Sequence, residues 1–402
     1  MPKLFSANRA LTSASSAACC RPTDLPPKKP SRCRSKSSYR LKLLSHTVQR
    51  PAKTRARCIA TLRRISLLCV LAQGGCAMTT QQPIVIAHRG ASAYLPEHTL
   101  PAKAMAHAMG ADFIEQDVVL TRDGTPIVLH DIHLDSTTDV AKVFPDRARA
   151  DGRFYAIDFT LAEIRRLRAH ERRNPNGEAV FPERFPAIAG LSAVPTLAEE
   201  IALIAGLNRS RDHQAGLYVE MKASAFHHSE GQDLPAAVMQ VLKESGWDQR
   251  KDLVFLQSFE PEALRQLKYK LKTVLPLVQL IAENAWDESG SVDFDALRTD
   301  AGLDAVAEYA DGIGPWLMQL YLGTDDQGKY QITDLAKRAH ARGLVVHPYT
   351  FRADQLPPGI SSFEELHRLF FEDLQVDGVF SDFPDRSRAL SEAFANTAKP
   401  SS

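Results

Sequence analysis

From Pro83 onward the chain alternates short apolar runs with longer stretches in which apolar residues recur at helical spacing. The runs are Pro83 to Ala87, Phe113 to Val118, Ile127 to Leu129, Leu217 to Glu220, Val254 to Gln257, Leu277 to Leu280, Gly312 to Gly314, Leu344 to His347 and Gly378 to Phe380. Each is short and rich in Val, Ile, Leu or Phe, the signature of a strand. Between them Thr99 to Met109, Leu234 to Glu244, Pro261 to Leu271, Asp334 to Arg342 and Phe363 to Phe371 read as helices. Strand and helix alternating this often predicts parallel βαβ units. About eight repeats in roughly 310 residues suit an α/β fold of the TIM (β/α)8 barrel type better than an open sheet with a second domain. One stretch breaks the alternation: Leu134 to Ser192 carries many charges, Pro182, Pro186 and only short apolar runs, and reads as an insertion in the loop after the third run. No GxGxxG follows the first run and no phosphate-binding GxxxxGK followed by Ser or Thr occurs, the one GxxxxGK match, Gly323 to Lys329, being followed by Tyr330, so a nucleotide-binding fold has no support.

Ahead of the barrel pattern the text is different. Residues 1 to 57 are rich in Ser, Pro, Arg and Lys without a sustained apolar period, and are expected to be a disordered basic extension. A basic arm for nucleic acid or membrane is the functional alternative, weakened by scattered charges and scarce aromatic residues; a later translation start is a third reading. From Arg63-Arg64 the chain runs through Ile65 to Ala72 into Gln73-Gly74-Gly75-Cys76. A basic stretch, a short apolar stretch and small residues predict a signal peptide over 58–78, too short to span a membrane as a mature helix. Cys76 resembles a lipoprotein acceptor, although Gln73 stands where an aliphatic residue is usual, and the Arg pair resembles a twin-arginine signal. The expected result is a body over 83–392, periplasmic or associated with the outer membrane after export, with a flexible tail over 393–402.

Charge sharpens this division. Residues 1 to 80 hold 16 Lys and Arg against one acid, Asp24, while 81 to 402 hold 33 basic and 47 acidic residues. The formal charge of +1 thus conceals a body of −14, which is no polyanion binder by bulk charge, and no nucleic-acid partner is expected. All six cysteines precede residue 77, so the body has no disulfide, no thiolate nucleophile and no cysteine metal site. At 44% hydrophobic and 24% charged, the composition excludes collagen-like, coiled-coil and wholly disordered chains.

In a barrel the active site forms at the carboxyl ends of the strands, and there the apolar runs carry reactive side chains. The first ends in His88-Arg89-Gly90, the second carries Glu115 and Asp117, the third ends in His130-Asp131 and the fourth in Glu220 followed by Lys222. Gln257, His347 and Asp382 end later runs and, with Glu97, are further candidates for the pocket. Glu115 and Asp117 are two apart on a strand, so both carboxylates point to one face. Side by side and buried they repel unless a cation sits between them, and Glu220 would complete an all-oxygen site that suits Ca2+, or Mg2+ as the second choice, and not zinc. The bland alternative is that both carboxylates alternate outward on a solvated strand. Taken singly, His88 and His130 read as structural histidines; together beside a metal they offer one base and one acid near neutral pH. Arg89 and Lys222 are natural partners for an anionic oxygen or, equally, simple ion-pair residues. A metal, two histidines, an Arg and a Lys in an acidic body point to phosphoester chemistry.

HRGASAYLPEHTLPAKAMAHAMGADFIEQDVVLTRDGTPIVLHD, from His88 to Asp131, resembles the signature of the glycerophosphodiester phosphodiesterase family. FPDRARADGRFYAIDFTLAEI (Phe144 to Ile164), VEMK at Glu220, FHHSEG at Phe226, QSF at Gln257, YADGIGP at Tyr309, VVHPYTFR at His347 and GVFSDFPD at Asp382 resemble its periplasmic branch. The likeness runs from about Pro83 to Leu390; HRG alone is weak, whereas the ordered set is highly specific. It implies a TIM barrel with a small inserted subdomain after the second strand, over about 131–192, that helps shape the glycerol pocket. It implies Ca2+-dependent hydrolysis of glycerophosphodiesters to sn-glycerol 3-phosphate and an alcohol, with His88 and His130 as acid and base. Glu115, Asp117 and Glu220 would be the metal ligands, and Arg89 and Lys222 the phosphate contacts. The partners implied are small-molecule glycerophosphodiesters, with a lipid anchor at Cys76 and a homodimer as further options. Departures are few: His98 stands where many relatives have Asn, although the periplasmic branch has His, and Ser381 replaces a common Thr and Met221 a common Ile. Two competing readings are a catalytically inactive barrel that binds such diesters and a phospholipase acting on intact lipid, which would need an apolar rim for acyl chains. With no cysteine in the body and no serine in a recognisable elbow, attack by water or by the glycerol 2-hydroxyl is expected instead of a covalent intermediate on the enzyme.

Overall fold

The computed structural model of the chain describes residues 82–185, 192–286 and 288–397. The stretches expected to be a disordered basic extension and a signal peptide, Cys76 among them, lie outside the described residues. The described residues form eleven strands: β1 (Ile84–Ala87), β2 (Phe113–Leu120), β3 (Pro126–Val128), β4 (Gly216–Met221), β5 (Val254–Ser258), β6 (Leu277–Ile281), β7 (Gly312–Pro315), β8 (Tyr321–Thr324), β9 (Tyr330–Ile332), β10 (Val345–Val346) and β11 (Gly378–Ser381). Eight of them form one parallel sheet in the order β10, β7, β6, β5, β4, β2, β1, β11. The ring closes through the residues that follow β10: the Asp377 N–H donates to the Val346 carbonyl at 3.0 Å and the Phe380 N–H to the Pro348 carbonyl at 3.0 Å. The predicted TIM barrel is therefore what forms, and its strands read as near-continuous apolar runs because inner side chains cover one face and helices the other. All eight positions of β2 are buried, Glu115 and Asp117 included, so these two do not alternate outward on a solvated strand.

The third apolar run is a correction. Ile127 to Leu129 is no barrel stave: β3 pairs antiparallel with β2, with Val118 opposite Val128, across a turn at Arg122-Asp123. Only residues 121–125 connect β2 to β3, too few for a parallel crossover, which needs a dozen or more, so the chain folds straight back. That return matters, because it carries His130 back to the level of Asp117, whose carbonyl accepts the Leu129 N–H at 2.8 Å.

The barrel interior is sealed by an aromatic layer of Phe113, Tyr218, Phe255 and Phe380, with Tyr218 stacked on Phe255 at 4.9 Å between ring centres. Gly216 makes room for it: a Cβ there would sit 2.5 Å from the Phe113 ring. Above this layer lies the polar mouth. Helix Leu100–Ala108 covers β2 from outside and packs on helix Leu197–Ser210, which lies against β3; each is started by a threonine cap, Thr99 with Pro101 at the first turn and Thr196 in a capping box with Glu199. The residues after β3 build a small core of their own, in which Leu134, Phe154, Phe159, Ile164 and Leu167 pack with Val119, Ile127 and Leu129. At the other end of the chain the helix Pro384–Thr397 takes in the first five residues, 393–397, of the stretch expected to be a flexible tail, whose remainder lies outside the described residues. It is tied down because the Ser391 hydroxyl donates to the Pro83 carbonyl at 2.6 Å and Phe394 packs on the barrel core.

Candidate active site

Register builds the site. In the parallel β2–β4 pair Asp117 lies directly beside Glu220, and in β4–β5 Glu220 lies beside Gln257. The carboxylates of Glu115, Asp117 and Glu220 converge so that an oxygen from each lies within 4.8 Å of the others, all three side chains being buried. Held this close out of water, three carboxyls cannot all ionise unless a cation screens them. Burial, and then the Asp117 charge, pushes Glu115 up to about 8, and burial raises Glu220 well above the usual carboxylate range in spite of Lys222. Asp117 goes the other way: burial would raise it, but the His98 ring, His130 and Lys222 hold it well below its ordinary value. Its Oδ1 is buried with no hydrogen-bond donor among the described residues. An all-oxygen donor set with an orphaned buried oxygen fits a hard divalent cation.

The supporting shell is as buried as the triad. Glu115 accepts from the Gln257 amide at 3.0 Å and from the Arg89 backbone N–H at 2.8 Å. The second bond requires Arg89 to take φ of 59°, and His98 (55°) and Ala223 (46°) beside the site also stand in the left-handed region. Such strain in residues other than glycine costs of order 1 kcal/mol each and collects at functional sites. Behind Asp117 a chain of contacts runs into the protein: His98 Nε2 to Asp117 Oδ2 at 2.7 Å, Lys103 Nζ to His98 Nδ1 at 3.0 Å, and Lys103 Nζ to Glu200 Oε2 at 3.2 Å. An ammonium can only donate, so His98 Nδ1 accepts and its Nε2–H points at Asp117. Sequence reading found no role for Lys103 or Glu200, because each is one charged residue in an ordinary helical pattern.

The two histidines are oriented alike. His88 Nδ1 lies 2.6 Å from Asp382 Oδ1, and His130 Nδ1 lies 2.6 Å from Asp131 Oδ1. Burial works against ionisation of Asp382, but Arg352 and His88 keep it well below its ordinary value; Asp131, likewise opposed by burial, is held down by His130 and Arg172. Each carboxylate therefore accepts from Nδ1–H and leaves Nε2 as the free acceptor. Burial and then Arg89 lower His88 to about 4 and also lower His130, so both rings are neutral near pH 7. His88 Nε2 is 3.9 Å from Glu115 Oε2, at the edge of the carboxylate cluster.

Two cavities open at the mouth and share His88, Arg89, His130 and Arg352 as a common neck. One, of about 260 Å³, contains the three carboxylates and Lys222 under a wall of Phe259, Trp286, Trp316 and Tyr349. The other, of about 400 Å³, lies between the barrel mouth and the insertion and is lined by Glu97, Glu171, Arg172, Phe181, Arg184 and Asp382. Lys222 is held between Glu220 and Glu288 at 2.9 Å each, and Arg89 Nη1 is shared between the two oxygens of Glu97 at 3.1 Å. Arg172 ties Glu97 to Asp131, at 2.7 Å to each. Of the further pocket candidates, Glu97 and Asp382 line the second cavity, and Gln257 sits beneath the triad as a support. His347 lies elsewhere: its ring points down into the barrel, bonded to the Tyr218 hydroxyl at 2.9 Å, and lines a cavity of about 870 Å³ at the opposite end with Pro83, Phe113 and Asp377. Arg172, Arg184, Arg352 and Glu288 were missed, since nothing in their local pattern sets them apart from other surface charges.

A family model described as the glycerophosphoryl diester phosphodiesterase family matches residues 88–386. A glycerophosphodiester phosphodiesterase of Haemophilus influenzae is 40% identical over 319 residues, covering 75% of this chain and 88% of that protein. A solved structure from Silicibacter pomeroyi, assigned to the same family, is 25% identical with a TM-score of 0.59, over 78% of this chain and 95% of its own. The fold is shared at a TM-score of 0.52 and 23% identity with an Oleispira antarctica phosphodiesterase solved with its product sn-glycerol 3-phosphate, over 77% of this chain and 97% of that one.

Proposed function

Because the chain belongs to the glycerophosphoryl diester phosphodiesterase family, we propose that it cleaves glycerophosphodiesters to sn-glycerol 3-phosphate and an alcohol at the neck between the two cavities, with His88 and His130 as the proton-transfer pair. The observation that carries this reading is the matched pair of histidines, each anchored at Nδ1 by its own aspartate and each presenting a free Nε2 to one cavity neck. Glu115, Asp117 and Glu220 would hold a divalent cation, Ca2+ in our reading, which would supply positive charge against the phosphoryl oxygens. Arg89, at the neck, adds a fixed cation to the same oxygens, and Lys222 extends the positive edge above Glu220.

The glycerol 2-hydroxyl is the attacking group. One histidine takes its proton at Nε2 as the oxygen bonds to phosphorus, the ester bond to the alcohol breaks, and the other histidine, protonated, gives its proton to the departing oxygen. Water then opens the resulting cyclic phosphate with the two roles exchanged, and sn-glycerol 3-phosphate leaves. An anionic diester in the neck raises the proton affinity of both rings, which burial otherwise keeps low. Attack from within the substrate gains the advantage of an intramolecular reaction. The test is glycerol 3-phosphate release from a diester and from its analogue lacking the 2-hydroxyl. The analogue should be turned over at least about a hundredfold more slowly, the usual scale for losing the proton-transfer partner. Comparable kcat would replace the substrate hydroxyl by direct attack of water.

A further inference from the structure

The cavity between the barrel mouth and the insertion contains one group that the mechanism does not use. Its arginines and two of its acids neutralise one another: Arg172 with Glu97 at 2.7 Å, and Arg184 with Asp382 and Asp354 at 2.8 Å each. Glu171 is the exception. It is only 6% exposed, no cation lies within ion-pair distance of it among the described residues, and its Oε1 is buried without a hydrogen-bond donor. Burial, with Glu97 next, pushes its carboxyl up to about 7. Arg184 pulls the other way but is already engaged by Asp354 and Asp382, and a carboxyl this enclosed, with no ion-pair contact of its own, gains most from a ligand that brings its own positive charge.

Which part of the substrate reaches it follows from the neck. With the glycerol placed in the cavity that contains the carboxylate triad, in-line displacement puts the departing alcohol on the far side of phosphorus. The far side is the cavity of Glu171. Glu171 lines this cavity with Glu97, Arg184 and Asp382, and Glu97 and Asp382 are the partners of Arg89 and His88, so it stands one side chain back from the neck. We propose that Glu171 is the receptor for a cationic head group, the ammonium of an amino alcohol leaving group, and sets a preference for such diesters over those of neutral polyols. This rests on the reading of the neck given above, and it places the insertion on the alcohol side, whereas family resemblance suggested the glycerol pocket.

The experiment compares kcat/KM of the full chain and of Glu171→Gln on glycerophosphoethanolamine, glycerophosphocholine and glycerophosphoglycerol, with Ca2+ present and folding checked by thermal melt. The amide keeps the shape and removes the charge. The ratio of each cationic diester to glycerophosphoglycerol should fall about tenfold, mainly through KM, the scale of one partly buried ion pair. Glu171→Asp should retain most of the ratio. A ratio that stays within about twofold, whether activity is kept or lost on all three diesters alike, would overturn the proposal. If the wild-type chain releases no glycerol 3-phosphate from any of them, the diesterase reading itself falls and this inference with it.

Discussion

On the barrel side of the cleft, Asp117 and Glu220 face each other in the β2–β4 register, 1% and 4% exposed, and are positioned by a ladder of backbone hydrogen bonds. On the insertion side, Arg149, Arg153 and Arg172 hold the chain through ion pairs to Asp158, Asp135 and Asp131 whose arginines are a fifth to two-fifths exposed. A buried ladder is insensitive to salt, and a one-residue slip in it would turn every side chain to the wrong face. Exposed ion pairs are each worth little, are screened, and can be exchanged without disturbing a neighbour. The comparison teaches that the two walls have different tolerances: the barrel wall fixes the reacting groups, and the insertion wall can vary in what it admits.

The largest effect should come from the barrel wall. Exhaustive chelation is expected to lower kcat by about 10³-fold or more, the scale of losing the principal charge stabilisation, with Ca2+ restoring it better than Zn2+. Full activity after EDTA would sink the metal assignment. His88→Ala and His130→Ala should each lower kcat by about 10²-fold or more with an unchanged melting curve. A lowered Tm with intact kcat would make them structural residues instead. A smaller loss is expected where the walls meet. Arg172→Met removes the bridge between Glu97 and Asp131, so the carboxylate that orients His130 loses its partner, and kcat should fall about tenfold, the lower end for supports behind a reacting group. No change in kcat would separate the insertion from the chemistry altogether. The smallest effect belongs to the outer face of the insertion: Arg149→Ala, which breaks partly exposed pairs to Asp158 and Glu230, should cost about 1 kcal/mol and leave kcat alone. A large drop in Tm there would erase the contrast.

Legibility in the sequence follows the same division. The strands could be read because their two covered faces demand unbroken apolar runs, and within such runs Glu115, Asp117 and Glu220 stand out as charges that burial does not tolerate without cause. His88 and His130 stood out by closing such runs, although the run before His130 proved to be a hairpin return and not a stave. Glu171 and Arg172 were invisible because ERRN sits among other charged residues, and only the fold shows that one is paired twice and the other not at all within ion-pair distance. His347 misled for the converse reason, since it closes an apolar run but faces down into the aromatic layer.

The order of apolar and polar residues along the chain was enough to determine a parallel barrel, an interruption after the third run and a triad of carboxylates on inward-facing strand positions, because period and burial are local properties. What only the tertiary structure decided is which charge meets which: Asp382 with His88 across 294 residues, Lys103 with Glu200 behind Asp117, and the two cavities on either side of one neck. Pairing of this kind depends on closing the ring of strands and laying the insertion over its mouth, and electrostatic partners over such separations leave no periodic trace in a sequence.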